Sequence, residues 1–186
     1  FEQVSTGGSH ACAIKESGEV ACWGWNHQGQ ADPPSGTFVD ISAGSYDQES
    51  YSCGVKENGE IACWGNNDDD QASPPSGTFE DVTTGHHHAC GFKEGGEVEC
   101  WGSDSTGGTD VPSGTFEQVS AESNHTCAVQ ESGEIVCWGE AFTGDETPPS
   151  GTYRFVACGS GHACGVTESG GVECWGGINM EEGNPP

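Results

Sequence analysis

One phrase returns five times along the chain, and that recurrence restricts it to an array of small, similar units. The phrase runs from an aromatic opener through a short apolar stretch and a Gly-containing bend to His-x-Cys. A second Cys follows ten residues after the first, and Trp-Gly closes the phrase. The openers are Phe1, Phe38, Phe79, Phe116 and Tyr153, which divides the chain into units 1–37, 38–78, 79–115, 116–152 and 153–186. Units of this length cannot bury an apolar face alone, so each must lean on its neighbours. With 31 Gly, 9 Pro and only 32% hydrophobic residues, the chain favours tight turns and a thin core, and no helix is expected.

Ten of the 11 Cys fall into five pairs of the same spacing: Cys12 with Cys22, Cys53 with Cys63, Cys90 with Cys100, Cys127 with Cys137 and Cys164 with Cys174. The residues between them explain the spacing. In the first unit Glu16-Ser17-Gly18 reads as a three-residue hairpin loop, with Gly in the left-handed last position. Gly59, Gly96, Gly133 and Gly170 repeat it. Lys15 then faces Glu19, Ile14 faces Val20 and Cys12 faces Cys22. If the loop-closing pair is hydrogen-bonded, the two Cys occupy a non-hydrogen-bonded pair, where α-carbons approach most closely and a disulfide can close. Five such bridges imply an oxidising, extracellular compartment. The competing reading is zinc, since His-x-Cys plus the later Cys offers three soft ligands. The repeat supplies no fourth, and the second unit has Tyr51 in place of His10, His88, His125 and His162. Cys158 is unpaired by spacing and stands where other units have Thr6, Ala43, Thr84 and Ala121. It reads as a buried free thiol, with an interchain bond as the alternative.

Each unit therefore predicts a short strand, a bend, a hairpin and a Pro-rich connector such as Asp32-Pro33-Pro34-Ser35-Gly36-Thr37. On the first hairpin, alternation puts His10, Cys12, Ile14, Val20 and Cys22 on one face. Ala11, Ala13 and Ala21 take the other, where small side chains let sheets stack closely. The Gly-x-x-His-x-Cys stretch, followed by Ala13 or Gly165, the Gly turn and the Cys-Trp-Gly of residues 7–24 and 159–176 resemble the regulator of chromosome condensation repeat. The short unit is similar to the bacterial form of that repeat, as in the propeller that inhibits β-lactamase. The resemblance spans essentially the whole chain. It implies an all-β fold, a β-propeller of five repeats with one antiparallel blade per repeat, in a family whose members commonly have seven blades. Five units then leave two outcomes for the in-phase ends, a ring closed on itself or one molecule docking on the next.

Thirty acidic residues against four basic ones give a net charge of −26, which repels phosphate backbones and acidic membrane surfaces. Such self-repulsion is tolerable where salt screens it, so a saline setting is expected. No stretch reaches the roughly 18 apolar residues of a membrane span, and no basic-then-apolar leader opens the sequence, which reads as a mature or excised piece.

No nucleophile elbow, phosphate cradle or paired acid and base emerges from the sequence, so no enzyme and no cofactor is expected. The reading is a secreted or cell-surface module that associates with itself, another extracellular protein or a glycan. Self-assembly comes first, and a carbohydrate-binding or protein-inhibiting propeller second. Trp25, outside the repeating phrase, and Tyr46 and Tyr51 of the unit-two insertion at 45–51 are candidate partner contacts, whereas the five Trp of Cys-Trp-Gly read as packing between blades. Asn124-His125-Thr126 fits the glycosylation pattern. His86-His87-His88 is a candidate transition-metal cluster, with a solvated loop as the alternative, and Asn67 to Gln71 lacks the ordered spacing of a calcium loop.

Overall fold

The computed structural model describes residues 1–44, 49–140 and 147–177. Among these residues fifteen strands form five three-stranded antiparallel sheets, each drawn from one sequence unit. Blade 1 is β1 (Gln3–Thr6), β2 (His10–Ile14) and β3 (Val20–Gly24), and blade 2 is β4 (Phe38–Ala43), β5 (Tyr51–Lys56) and β6 (Ile61–Gly65). Blade 3 is β7 (Asp81–Thr84), β8 (His88–Phe92) and β9 (Val98–Gly102). Blade 4 is β10 (Phe116–Glu122), β11 (His125–Gln130) and β12 (Ile135–Gly139). Blade 5 is β13 (Tyr153–Gly159), β14 (His162–Thr167) and β15 (Val172–Gly176). The described residues contain no helix long and apolar enough to cross a membrane.

Hairpin chemistry sets the register in every blade. Lys15 N donates to the Glu19 carbonyl at 2.9 Å, so the loop closes on a hydrogen-bonded pair, and Gly18 takes a φ of 79° to turn the chain. Counting back along the ladder pairs Ile14 with Val20 and Cys12 with Cys22, as the sequence predicts. The same register recurs through Cys53 with Cys63, Cys90 with Cys100, Cys127 with Cys137 and Cys164 with Cys174. All five pairs are disulfides with α-carbons 4.0–4.1 Å apart, the close spacing of a non-hydrogen-bonded pair. Bridging thus replaces zinc ligation for these ten sulfurs. At the other end of the hairpin, a Cβ added to Gly24 would stand 2.7 Å from the Ser9 carbonyl, and its φ is 107°, so only Gly fits there.

Blades pack in chain order, and every junction uses the same two faces. The trailing face of one blade presents its bridge Cys and apolar hairpin residues. The next blade's leading face presents the aromatic opener, an aliphatic residue three places on and the closing Trp. Cys12, Ile14, Val20 and Cys22 meet Phe38, Ile41 and Trp64 in the first junction. Tyr51, Cys53, Val55 and Ile61 meet Phe79, Val82, Ala89 and Trp101 in the second. Cys90, Phe92 and Val98 meet Phe116, Val119, Ala128 and Trp138, and Cys127, Val129 and Ile135 meet Tyr153, Val156, Ala163 and Trp175. Ala89, Ala128 and Ala163, later counterparts of the small residues expected on the second face, lie within these junctions.

Polar side chains tie the strands together beside these apolar contacts. Asp40 Oδ1 accepts from Gln3 Nε2 at 2.7 Å, and its Oδ2 accepts from Val82 N at 2.9 Å, so one carboxylate links three blades. Gln118 Oε1 accepts from Val156 N at 2.9 Å in the corresponding place. Asp81 lies beside Asp40. Burial, the Asp40 charge and a hydrogen bond to Asp40 push the Asp81 carboxyl up to about 8. A folded state that holds this proton is more stable below the ordinary carboxylate range, and the gain is lost as pH rises from about 4 through about 8. Asp81→Asn should therefore flatten the decline of melting temperature over that window and melt above the parent at its upper end. Melting scans against pH check this, and an unchanged slope would contradict it.

Candidate interaction surfaces

The junction geometry has a consequence at the two ends of the array. Phe1 is 74% exposed, whereas the other four openers are 1–3% exposed. Val4 is 62% exposed against 0–4% for Ile41, Val82, Val119 and Val156, and Trp23 is 51% exposed against 8–9% for the other four closing Trp. The whole leading face of blade 1 is thus uncovered. At the opposite end, His162 and Val172 are exposed and Cys164 and Val166 half-exposed, although their equivalents in blades 1 to 4 are largely buried. Phe155, 49% exposed, stands where the other units carry Gln3, Asp40, Asp81 and Gln118, so this trailing face is more apolar than the internal ones. Among the described residues, blades 5 and 1 therefore do not meet to seal a five-bladed ring, and each presents a face of the kind that meets at the internal junctions.

The imidazoles of His10 and His88 are structural parts of those junctions. His10 Nε2 lies 2.7 Å from Ser52 Oγ, and His88 Nε2 lies 2.8 Å from Thr126 Oγ1, both hydroxyls belonging to the next blade. Where unit two has Tyr51, the next blade has Ala89, and the Tyr51 hydroxyl donates instead to the His88 carbonyl. Tyr51 is fully buried, which corrects its reading as a partner contact: a phenol at the His position is drawn into the junction by its ring and satisfied there. Trp25 is exposed on the loop after β3, edge-on to His27 at 5.9 Å. Tyr46 lies outside the described residues.

His86, His87 and His88 do not converge on one point. His88 is buried against Thr126, His87 Nδ1 lies 2.8 Å from Asp69 Oδ2, and His86 Nε2 lies 3.3 Å from Ser123 Oγ and 3.7 Å from Glu122 Oε1. Burial, reinforced by the charges of neighbouring imidazoles, holds His86 and His88 at about 4, so both are neutral near neutral pH. The tandem run does not form the metal cluster that its sequence suggests, because strand alternation and the bend send the rings to different neighbours. The Asn124 sequon is poorly presented by the fold: Asn124 is half-buried, and its Thr126 is fully buried in the blade 3 to blade 4 junction. Sequence reading missed Gln30 and Gln71. Both are completely buried, and their carbonyls accept from Trp64 Nε1 and Trp101 Nε1 at 2.9 Å, so each connector caps the Trp of the following blade. Recurrence of Gln-Ala ahead of the Pro stop was the available signal.

Radially repeated three-stranded blades joined through common faces define a β-propeller architecture. The regulator of chromosome condensation (RCC1) repeat matches residues 1–30 and 153–183, and the fold is that of an RCC1-type repeat β-propeller. No curated protein matches the sequence. The ectodomain of the Physcomitrella patens receptor kinase CR4 superposes at a TM-score of 0.78 with 26% identity, over 93% of this chain and 49% of that one. The CRINKLY WD40 ectodomain of the Arabidopsis thaliana receptor kinase ACR4 gives 0.79 and 22%, over 97% and 67%. Prp20p of Saccharomyces cerevisiae, whose structure was described with its binding to Gsp1p and histones, gives 0.75 and 16%, over 94% and 57%. The chain spans about half the length of the CR4 ectodomain it matches.

The hydroxyl that meets each imidazole should carry measurable stability. Thr126→Val keeps the shape but leaves His88 Nε2 buried without its partner, which should lower unfolding free energy by about 1–3 kcal/mol. Chemical denaturation of parent and variant measures it, and a loss near zero would contradict the assignment.

Proposed function

We propose that the chain is a non-enzymatic extracellular interaction module whose first partner is a second copy of itself, joined head to tail. The observation that carries this reading is the pair of uncovered end faces. Phe1, Val4 and Trp23 form the same kind of surface that every internal blade lays against its predecessor, and the trailing face of blade 5 is the surface type that receives it. Five disulfides and the likeness to receptor-kinase ectodomains support an extracellular setting. The net charge of −26 opposes contact between copies in dilute buffer, so association belongs to saline conditions. A loop-borne glycan or protein contact is the second reading, favoured by the exposed Trp25 indole beside His27.

Sedimentation velocity tests the first reading. Between about 0.1 M and about 1 M NaCl, where the Debye length falls from about 10 to 3 Å, the sedimentation coefficient should grow with protein concentration and the melting temperature should rise. Trp23→Asp should weaken association by about 30-fold or more, the loss of a central aromatic contact worth about 2 kcal/mol. Val39→Asp, at an exposed position of the internal blade 2, should leave it unchanged. Monomers at every concentration in high salt would overturn self-association. Saturable glycan binding that is lost on Trp25→Ala would favour the second reading.

A further inference from the structure

The junction between blades 4 and 5 departs from the others in a way that concerns sulfur chemistry. His125 faces Ala163, so the hydroxyl that meets the imidazole of His10 and His88 is missing. The ring bonds the His162 backbone instead, and beside it lies Cys158, the cross-strand neighbour of Ala163, at a position occupied elsewhere by Thr or Ala. Cys158 Sγ, Cys127 Sγ and one ring nitrogen of His125 all lie within 4.8 Å of one another. Cys127 is already bonded to Cys137, so a free thiol of blade 5 sits beside a disulfide of blade 4. The thiol is held in place: Cys158 N donates to Ser120 Oγ at 3.0 Å, and its S–H donates to the Ser120 carbonyl at 3.1 Å.

The geometry points to intramolecular thiol–disulfide exchange at this junction, by which the Cys127–Cys137 bridge within blade 4 becomes a Cys127–Cys158 bridge between blades 4 and 5. Cys158 S–H gives up its proton to His125 or to hydroxide, and the thiolate attacks Cys127 Sγ. The Cys158–Cys127 bond forms as the Cys127–Cys137 bond breaks, and Cys137 leaves as a thiolate that takes up a proton. One thiol and one disulfide stand on each side of the step, so no outside oxidant or reductant is needed. His125 is buried and held below its usual range, in the neutral form that can accept a proton. The product fastens two blades that otherwise meet only through noncovalent contacts, and it releases a thiol on β12.

The titratable groups facing the thiol are Glu122 on β10 and His125 on β11. Burial pushes the Cys158 thiol up to about 12, the Glu122 charge adds to it, and hydrogen bonds at Cys127 and Ser120 oppose it. Exchange should accordingly be slow at neutral pH and quicken about tenfold per pH unit as thiolate forms.

The test holds the folded protein at about pH 7, 8 and 9, traps thiols with N-ethylmaleimide, cuts at glutamate and reads linkages by mass spectrometry without reductant. Near-UV circular dichroism confirms that the fold persists throughout. The expected result is a growing peptide that joins Cys127 to Cys158, with Cys137 alkylated in equal measure. Cys158→Ser should abolish both signals. In Cys137→Ser, addition of a small-molecule disulfide should close the Cys127–Cys158 bridge; if that variant does not fold, the time course on the parent decides. Alkylation confined to Cys158 and an unchanged Cys127–Cys137 bridge at every pH would overturn the inference.

Discussion

Everything in this molecule depends on one contact, the leading face of a blade laid on the trailing face of the blade before it. A three-stranded sheet with strands of four to seven residues cannot support itself in water, and here both of its faces are apolar. The disulfide ties the two hairpin strands of each blade and lies on its trailing face. The opener, the aliphatic residue after it and the closing Trp then supply the area that stacking buries. Each junction is local in sequence, which lets stability accumulate blade by blade. The same logic leaves an apolar surface on each of the two outermost described blades.

The junctions are similar but not identical, and their differences are compensated. Ser52 and Thr126 answer an imidazole, Ala89 makes room for the Tyr51 ring, and the Tyr51 hydroxyl finds a carbonyl instead. Asp40 binds a glutamine side chain on one side and a backbone amide on the other, while Asp81 beside it keeps a proton. Only where Ala163 faces His125 is the hydroxyl lost without a Tyr in exchange, and there the unpaired cysteine stands. The pattern reads as one junction design with its polar group relocated from unit to unit.

Much of the blade was legible in the sequence, because hairpin register is a short-range property. The Gly at the loop fixes which residues oppose, so Cys12 with Cys22 and the four other pairs follow from counting, and so does the division of each hairpin into two faces. What the sequence hid was the contact between units. Trp23 and Trp64 occupy the same place in the phrase, yet one is open to solvent and the other buried, because only the second has a blade before it. Tyr51 looked like an exposed departure from the repeat and is instead a buried substitute for His. Gln30 and Gln71 looked like connector residues, and their role appears only once the following blade's Trp is in place. The three consecutive His suggested a cluster, and backbone alternation separates them.

Hydroxyl-radical footprinting with residue-level mass spectrometry, on dilute protein in low salt, tests the stacking account most directly. The account predicts that Trp23 and Phe1 are oxidised many times faster than Trp64, Trp101, Trp138 and Trp175, and faster than Phe38, Phe79 and Phe116. Equal rates along the two series would mean that blade 1 is covered like the rest or that the junctions do not form, and either result would contradict the account.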